Sequence, residues 1–182
     1  DLDRDEVINR AISAGVGMVN VGTDKKTSAD AIALAEKQEG LWATVGLHPI
    51  HTSKSFHDED EGVDAPETDF DYEYYLSLAK HKKVVAIGEC GFDYFHMPFS
   101  NSIELENAKQ KQKDAFLAQV KLANEVGKPL MIHCRSSMDG KMNAYRDVID
   151  TLHATGYTSR DNLGIAHFFS GSVEEAKELL EL

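Results

Sequence analysis

The sequence predicts an α/β fold built on parallel strands, and three observations carry that prediction. Short apolar runs alternate with stretches of helical spacing along the chain. Runs such as VVAIG (84–88) and PLMI (129–132) lack polar alternation, so both of their faces are buried, as in a parallel sheet covered by helices. Three of the runs also end in a side chain able to bind a cation: Glu89, His133 and His167. Strict strand and helix alternation leaves two architectures, an open doubly wound sheet or a closed barrel.

Each element has its own signal. Residues 2–14 place Val7, Ile8, Ala11 and Ile12 on one helical face, and Gly15 and Gly17 stop that helix. A strand over 18–22 follows, then a helix over 28–37 with Ile32 and Ala35 on one side, then a strand over 41–49 that ends at His48 and Pro49. Residues 52–71, crowded with acids and turn formers, predict a solvated loop before a helix over 72–80. A strand over 84–89 leads to a long helix whose capping box is Asn101 and Glu104 and whose apolar face is Phe116, Val120 and Ala123. Gly127 and Pro129 close it. A strand over 129–134, a helix carrying Met142, Tyr145, Ile149 and Leu152 and ended by Gly156, and a fifth strand over 162–167 complete the pattern. Ser172 and Glu175 cap a last helix that carries Val173, Ala176, Leu179 and Leu180.

A chain of 182 residues with 42% hydrophobic content supports one domain with a substantial core. Its net charge of −12 argues against a broad basic surface for nucleic acid, so a phosphate-bearing substrate needs a local positive site such as a metal. Two cysteines, no signal peptide and no long apolar span predict a reducing, cytoplasmic setting without membrane association.

The strand ends are where chemistry converges. Glu89 and His133 are 44 positions apart and His133 and His167 are 34 apart, each about one strand-plus-helix unit. Parallel strands put their C-terminal ends on one side. Alternation pairs Ile87 with Glu89, Met131 with His133 and Ile165 with His167 on their strand faces, so all three ligands are expected in one mouth. His48 closes another strand and reaches the same rim. A carboxylate and imidazole set suits zinc, manganese and related divalent ions and hydrolytic chemistry.

Simpler readings stand beside this one. A strand-end histidine is often just hydrogen-bonded, Glu89 can pair with Arg135, and His48 can be a loop histidine braced by Pro49. Asp93, Tyr94 and Phe95 read as loop packing, and Cys90 and Cys134, each directly after a candidate ligand, read as small buried thiols. His51, His57, His81, His96 and His153 lack a comparable context.

Four motifs in order, Gly46-Leu47-His48-Pro49, Gly88-Glu89-Cys90-Gly91-Phe92-Asp93-Tyr94, Ile132-His133-Cys134-Arg135 and His167-Phe168-Phe169-Ser170-Gly171, resemble the TatD family of metal-dependent hydrolases. The resemblance implies a TIM-type (β/α) barrel with a divalent metal (Mg, Mn or Zn) at its C-terminal face. It also implies deoxyribonuclease activity of an exonuclease type on DNA or another phosphodiester. By motif, Glu89, His133 and His167 are then metal ligands, and His48, Arg135 and Ser170 lie around the substrate phosphate.

Such proteins usually begin with a strand bearing His-x-His and carry a late catalytic Asp, and neither is present here. Residues 1–182 are therefore expected to form a single partial domain of about five strands, an unclosed barrel with two open edges. No catalytic residue is assigned within it, metal binding and turnover are expected to be weak, and the full-length protein is expected to be a monomer. The same ligands also serve an ester or amide hydrolase acting on an aminoacyl linkage, and a degenerate site would make the domain a binding or scaffold module.

Overall fold

The computed structural model describes residues 3–53, 69–95, 97, 102–157 and 164–182. Helices and strands follow one another as α1 (Arg4–Ser13), β1 (Met18–Asn20), α2 (Lys25–Glu36), β2 (Leu41–Val45), a 3-10 turn (Pro49–Thr52), α3 (Tyr72–Ala79), β3 (Val84–Asp93), α4 (Ser102–Val126), β4 (Leu130–Arg135), α5 (Ala144–Thr155), β5 (Ile165–His167) and α6 (Val173–Glu181). The expected cap at Asn101 and most of the 52–71 loop lie outside the described residues.

Local chemistry sets the boundaries. The Asp24 side chain accepts the Thr27 backbone N–H while the Thr27 hydroxyl serves the Asp24 backbone, a reciprocal cap that starts α2 three residues earlier than hydrophobic spacing alone indicates. Asn143 caps α5, and Gly156, at φ 65°, supplies the left-handed residue that ends it. Ser172 and Glu175 cap α6 reciprocally, as their spacing predicts.

The five strands form one sheet in the order β1-β2-β3-β4-β5, and every neighbouring pair is parallel. This order decides between the two architectures. A doubly wound sheet needs a point where strand order reverses, whereas four steps in one direction with right-handed crossovers keep the helices on one face and curl the sheet into a barrel wall. Among the described residues β1 and β5 each pair on one side alone.

The core lies between this wall and its helices. Leu41, Ala43 and Val45 of β2, Ile87 and Cys90 of β3, and Leu130, Ile132 and Cys134 of β4 pack with Ala35, Phe116, Val120, Ala123, Val148 and Leu152. The concave face is more open, and Trp42, Val85 and Ile165 remain partly exposed there. No helix among the described residues is long and apolar enough to cross a membrane.

Strand β3 departs from the expected geometry in two ways. It runs on to Asp93 rather than stopping at Glu89. Its pairing with β4 also shifts register between Ile87 and Cys90, so Ile87 and Cys90 both face the helices. The simple alternation that put Ile87 on the face of Glu89 is broken by this irregularity, which turns Glu89 toward the concave side.

Candidate metal centre

Glu89 is the meeting point of three strands. Its Oε1 lies 3.0 Å from Nδ1 of His133 on β4 and 2.9 Å from Nδ1 of His167 on β5. The Cα positions of His133 and His167 are partners in the parallel register, which is why two rings from adjacent strands reach one oxygen. The alternative pairing of Glu89 with Arg135 is not what forms: the Arg135 guanidinium lies over the Phe95 ring, 3.7 Å from its centroid.

The other nitrogen of His133 is held as well. Nε2 lies 2.8 Å from Asp93 Oδ2, so the imidazole is clamped between two carboxylates. Asp93 Oδ1 accepts the Phe95 backbone N–H at 2.9 Å, and Asp93 itself is 6% exposed. The expectation that Asp93 is loop packing is therefore corrected: it ends β3 as a strand residue whose two oxygens are both engaged.

His48 completes the group from the N-cap of the 3-10 turn, three residues past the end of β2, which stops at Val45 rather than running on to 49 as expected. Its ring centroid is 4.2 Å from that of His133, and ligand atoms of His48, Glu89 and His133 all lie within 4.8 Å of one another, a group able to hold a metal ion. Two features set His48 apart from His133. Its Nδ1 accepts the Ile50 backbone N–H at 3.3 Å, at the start of the 3-10 turn. Burial, reinforced by neighbouring His133, pushes its pKa down to about 3, so the ring is neutral. In a neutral ring whose Nδ1 accepts, the proton sits on Nε2, which suits donation to an anionic oxygen better than ligation. His51, for which the sequence offers no context, stands beside it, ring centroids 6.1 Å apart.

The electrostatics follow from these contacts. Burial works to raise the Glu89 carboxyl, but hydrogen bonds from His133 and His167 outweigh it and hold the pKa at about 2. Burial works to lower His133, yet Asp93 and Glu89 together lift it to about 9. Asp93 is held below the usual range, its own burial opposed by His133 and the Phe95 N–H. Cys90 and Cys134 are unpaired thiols facing the core, pushed far up by burial, so neither is a nucleophile.

Two glutamines on α4 fix the backbone beneath this group. Gln119 Oε1 accepts the Leu47 N–H at 2.9 Å while its Nε2 donates to the Leu47 carbonyl at 3.0 Å. Gln112 does the same for Asp93, accepting its N–H at 3.0 Å and donating to its carbonyl at 2.9 Å. Sequence reasoning missed both, although two amides on the same helical face as Phe116 and Val120 are a readable signal. Ser170 is positioned through Tyr145, whose hydroxyl accepts the Ser170 N–H at 2.7 Å and lies 3.2 Å from its Oγ.

The family model "TatD related DNase" matches residues 1–182. The chain belongs to the TatD family. It is similar to the 3'-5' ssDNA/RNA exonuclease TatD of Citrobacter koseri, 33% identical over 180 residues, which cover 98% of this chain and 58% of that protein. The protein of the same name from Musicola paradisiaca is 35% identical over 183 residues, covering 100% of this chain and 58% of that one. The chain thus spans under two thirds of the length of the curated TatD relatives it matches. Its fold resembles the crystal structure of YjjV, a TatD homologue from Escherichia coli K12, with a TM-score of 0.70 and 27% identity over 98% of this chain and 58% of that one. The curled five-stranded wall is thus part of a TatD-type TIM barrel.

Proposed function

We propose that this chain is one partial domain of a metal-dependent deoxyribonuclease, acting from the end of the strand as an exonuclease. The observation that carries the proposal is the convergence of His133 Nδ1 and His167 Nδ1 on one oxygen of Glu89. The donor set fits a divalent cation. Ligand atoms about 2.1 Å from one ion stand about 3.0–3.4 Å apart, close to the 3.0 and 2.9 Å that separate Glu89 Oε1 from the Nδ1 atoms of His133 and His167. The TatD relatives are named as 3'-5' ssDNA/RNA exonucleases, which supports the choice of substrate.

In this reading Glu89, His133 and His167 hold Mg, Mn or Zn. The bound ion supplies Lewis-acid polarisation and water activation. His48, neutral and donating from Nε2, binds a non-bridging phosphate oxygen without bringing a charge that competes with the cation. Arg135, whose guanidinium rests over the Phe95 ring, donates to the same phosphate, and Ser170 adds a hydroxyl. The protein works as a monomer in the cytoplasm, a setting in keeping with two unpaired buried cysteines.

The test is exonuclease assay of the intact protein on single-stranded DNA with Mg²⁺ or Mn²⁺. The expected result is metal-dependent release of nucleotides that is lost in the Glu89→Ala, His133→Ala double variant; wild-type rates in that variant overturn the proposal.

A further inference from the structure

We propose that Asp93 is a positioning residue that fixes the His133 ring as a metal ligand, holding the proton on Nε2 and leaving the Nδ1 lone pair for the cation. The proposal rests on the reading of His133 as a ligand given above. A histidine ring presents its two nitrogens in divergent directions, so the nitrogen facing Glu89 and the nitrogen facing Asp93 cannot serve one ion. Nδ1 is on the side shared with Glu89 and His167, and Nε2 is on the side of Asp93. Asp93 is thus placed behind the ligand, where a carboxylate selects the tautomer and raises ligand basicity.

Asp93 is itself immobilised for this task. Gln112 holds its backbone N–H and carbonyl, and the Phe95 N–H holds Oδ1. Oδ2 is left to face His133 alone among the described hydrogen bonds. With both oxygens engaged and 6% of the residue exposed, Asp93 has no open face for a substrate or a second ion. The same carboxylate secures the turn carrying Phe95, and so the ring on which Arg135 rests, tying the metal side of the site to the phosphate side.

Two substitutions separate the ring-holding role from a role in folding. Asp93→Asn is nearly isosteric, but its amide either donates to Nε2, forcing the proton onto Nδ1, or gives up the Phe95 N–H. Asp93→Ser is too short to reach His133 yet still accepts the Phe95 N–H through its hydroxyl. In the intact protein both are expected to bind Mn²⁺ about 10–100-fold more weakly by calorimetry, with circular dichroism unchanged. The ¹⁵N shifts of His133 in the metal-free protein are expected to move in both. Wild-type Mn²⁺ affinity together with unchanged His133 ring signals in Asp93→Ser overturns the proposal. If the wild-type protein itself binds no Mn²⁺, the metal reading of the site falls, and the ring signals decide Asp93 alone: a moved His133 signal upholds its hold on the ring, an unmoved one ends it.

Discussion

Glu89 and His167 are joined across the strand that separates them: β4 lies between β3 and β5, yet Glu89 Oε1 and His167 Nδ1 are 2.9 Å apart. Replacing Glu89 with Ala leaves two imidazoles facing one another without their shared acceptor. A loss of Mn²⁺ affinity greater than about 100-fold is expected, beyond what removal of an outer carboxylate costs. Calorimetric titration checks it, and His133 should also titrate well below about 9 in that variant, as followed by NMR.

Gln119→Leu should destabilise the protein by about 2 kcal/mol, because the Leu47 N–H and carbonyl both lose their partner in a buried place. Urea denaturation measures this. The residue after Leu47 is His48, so KM for a phosphodiester should rise more than kcat falls if the loop loosens.

Gly91→Ala should be more damaging than its size implies. Gly91 has φ 143°, where a side chain is strained, and a Cβ there would overlap the His133 carbonyl oxygen. We expect a loss of at least about 1–3 kcal/mol together with weaker metal binding, read by thermal unfolding with and without Mn²⁺.

The metal-free protein should be most stable near pH 6.5, with a decline on either side. Glu89, held at about 2 against an ordinary 4.5, contributes stability above pH 4.5 that disappears as pH falls through about 2. His133, lifted to about 9 from 6.5, contributes stability below pH 6.5 that disappears as pH rises through about 9. Both contributions are present together between pH 4.5 and 6.5, but His48, neutral in the fold with a pKa of about 3, withdraws stability as pH falls below 6.5, which puts the optimum at the upper edge of that range. Chemical denaturation across pH should show the alkaline decline, and His133→Ala should flatten it. Mn²⁺ affinity runs the other way, rising through the same alkaline range as the ring gives up its proton.

What was legible in the sequence is what is local. Apolar runs and helical spacing locate the strands and helices, Ser172 and Glu175 announce a cap that forms, and the apolar runs that lead into Glu89, His133 and His167 locate the place where these three side chains meet. The irregularity between Ile87 and Cys90 was not legible, because alternation assumes a regular pleat and register depends on β4. Asp93 and Gln112 were missed for a related reason. Their partners are 40 and 19 residues away in sequence, and pairing of polar side chains has no periodic signature.

Gln112 and Gln119 stand seven residues apart on one helix, roughly 10 Å along its axis. Each grips a chain segment by both its donor and its acceptor, one below Asp93 and one before His48. Helix α4 is therefore a stiff crossbar with two handles. Any slide or roll imposed on its solvent side reaches the end of β3 at Asp93 and the segment entering His48 in the same stroke, so the two segments keep step with each other when α4 moves.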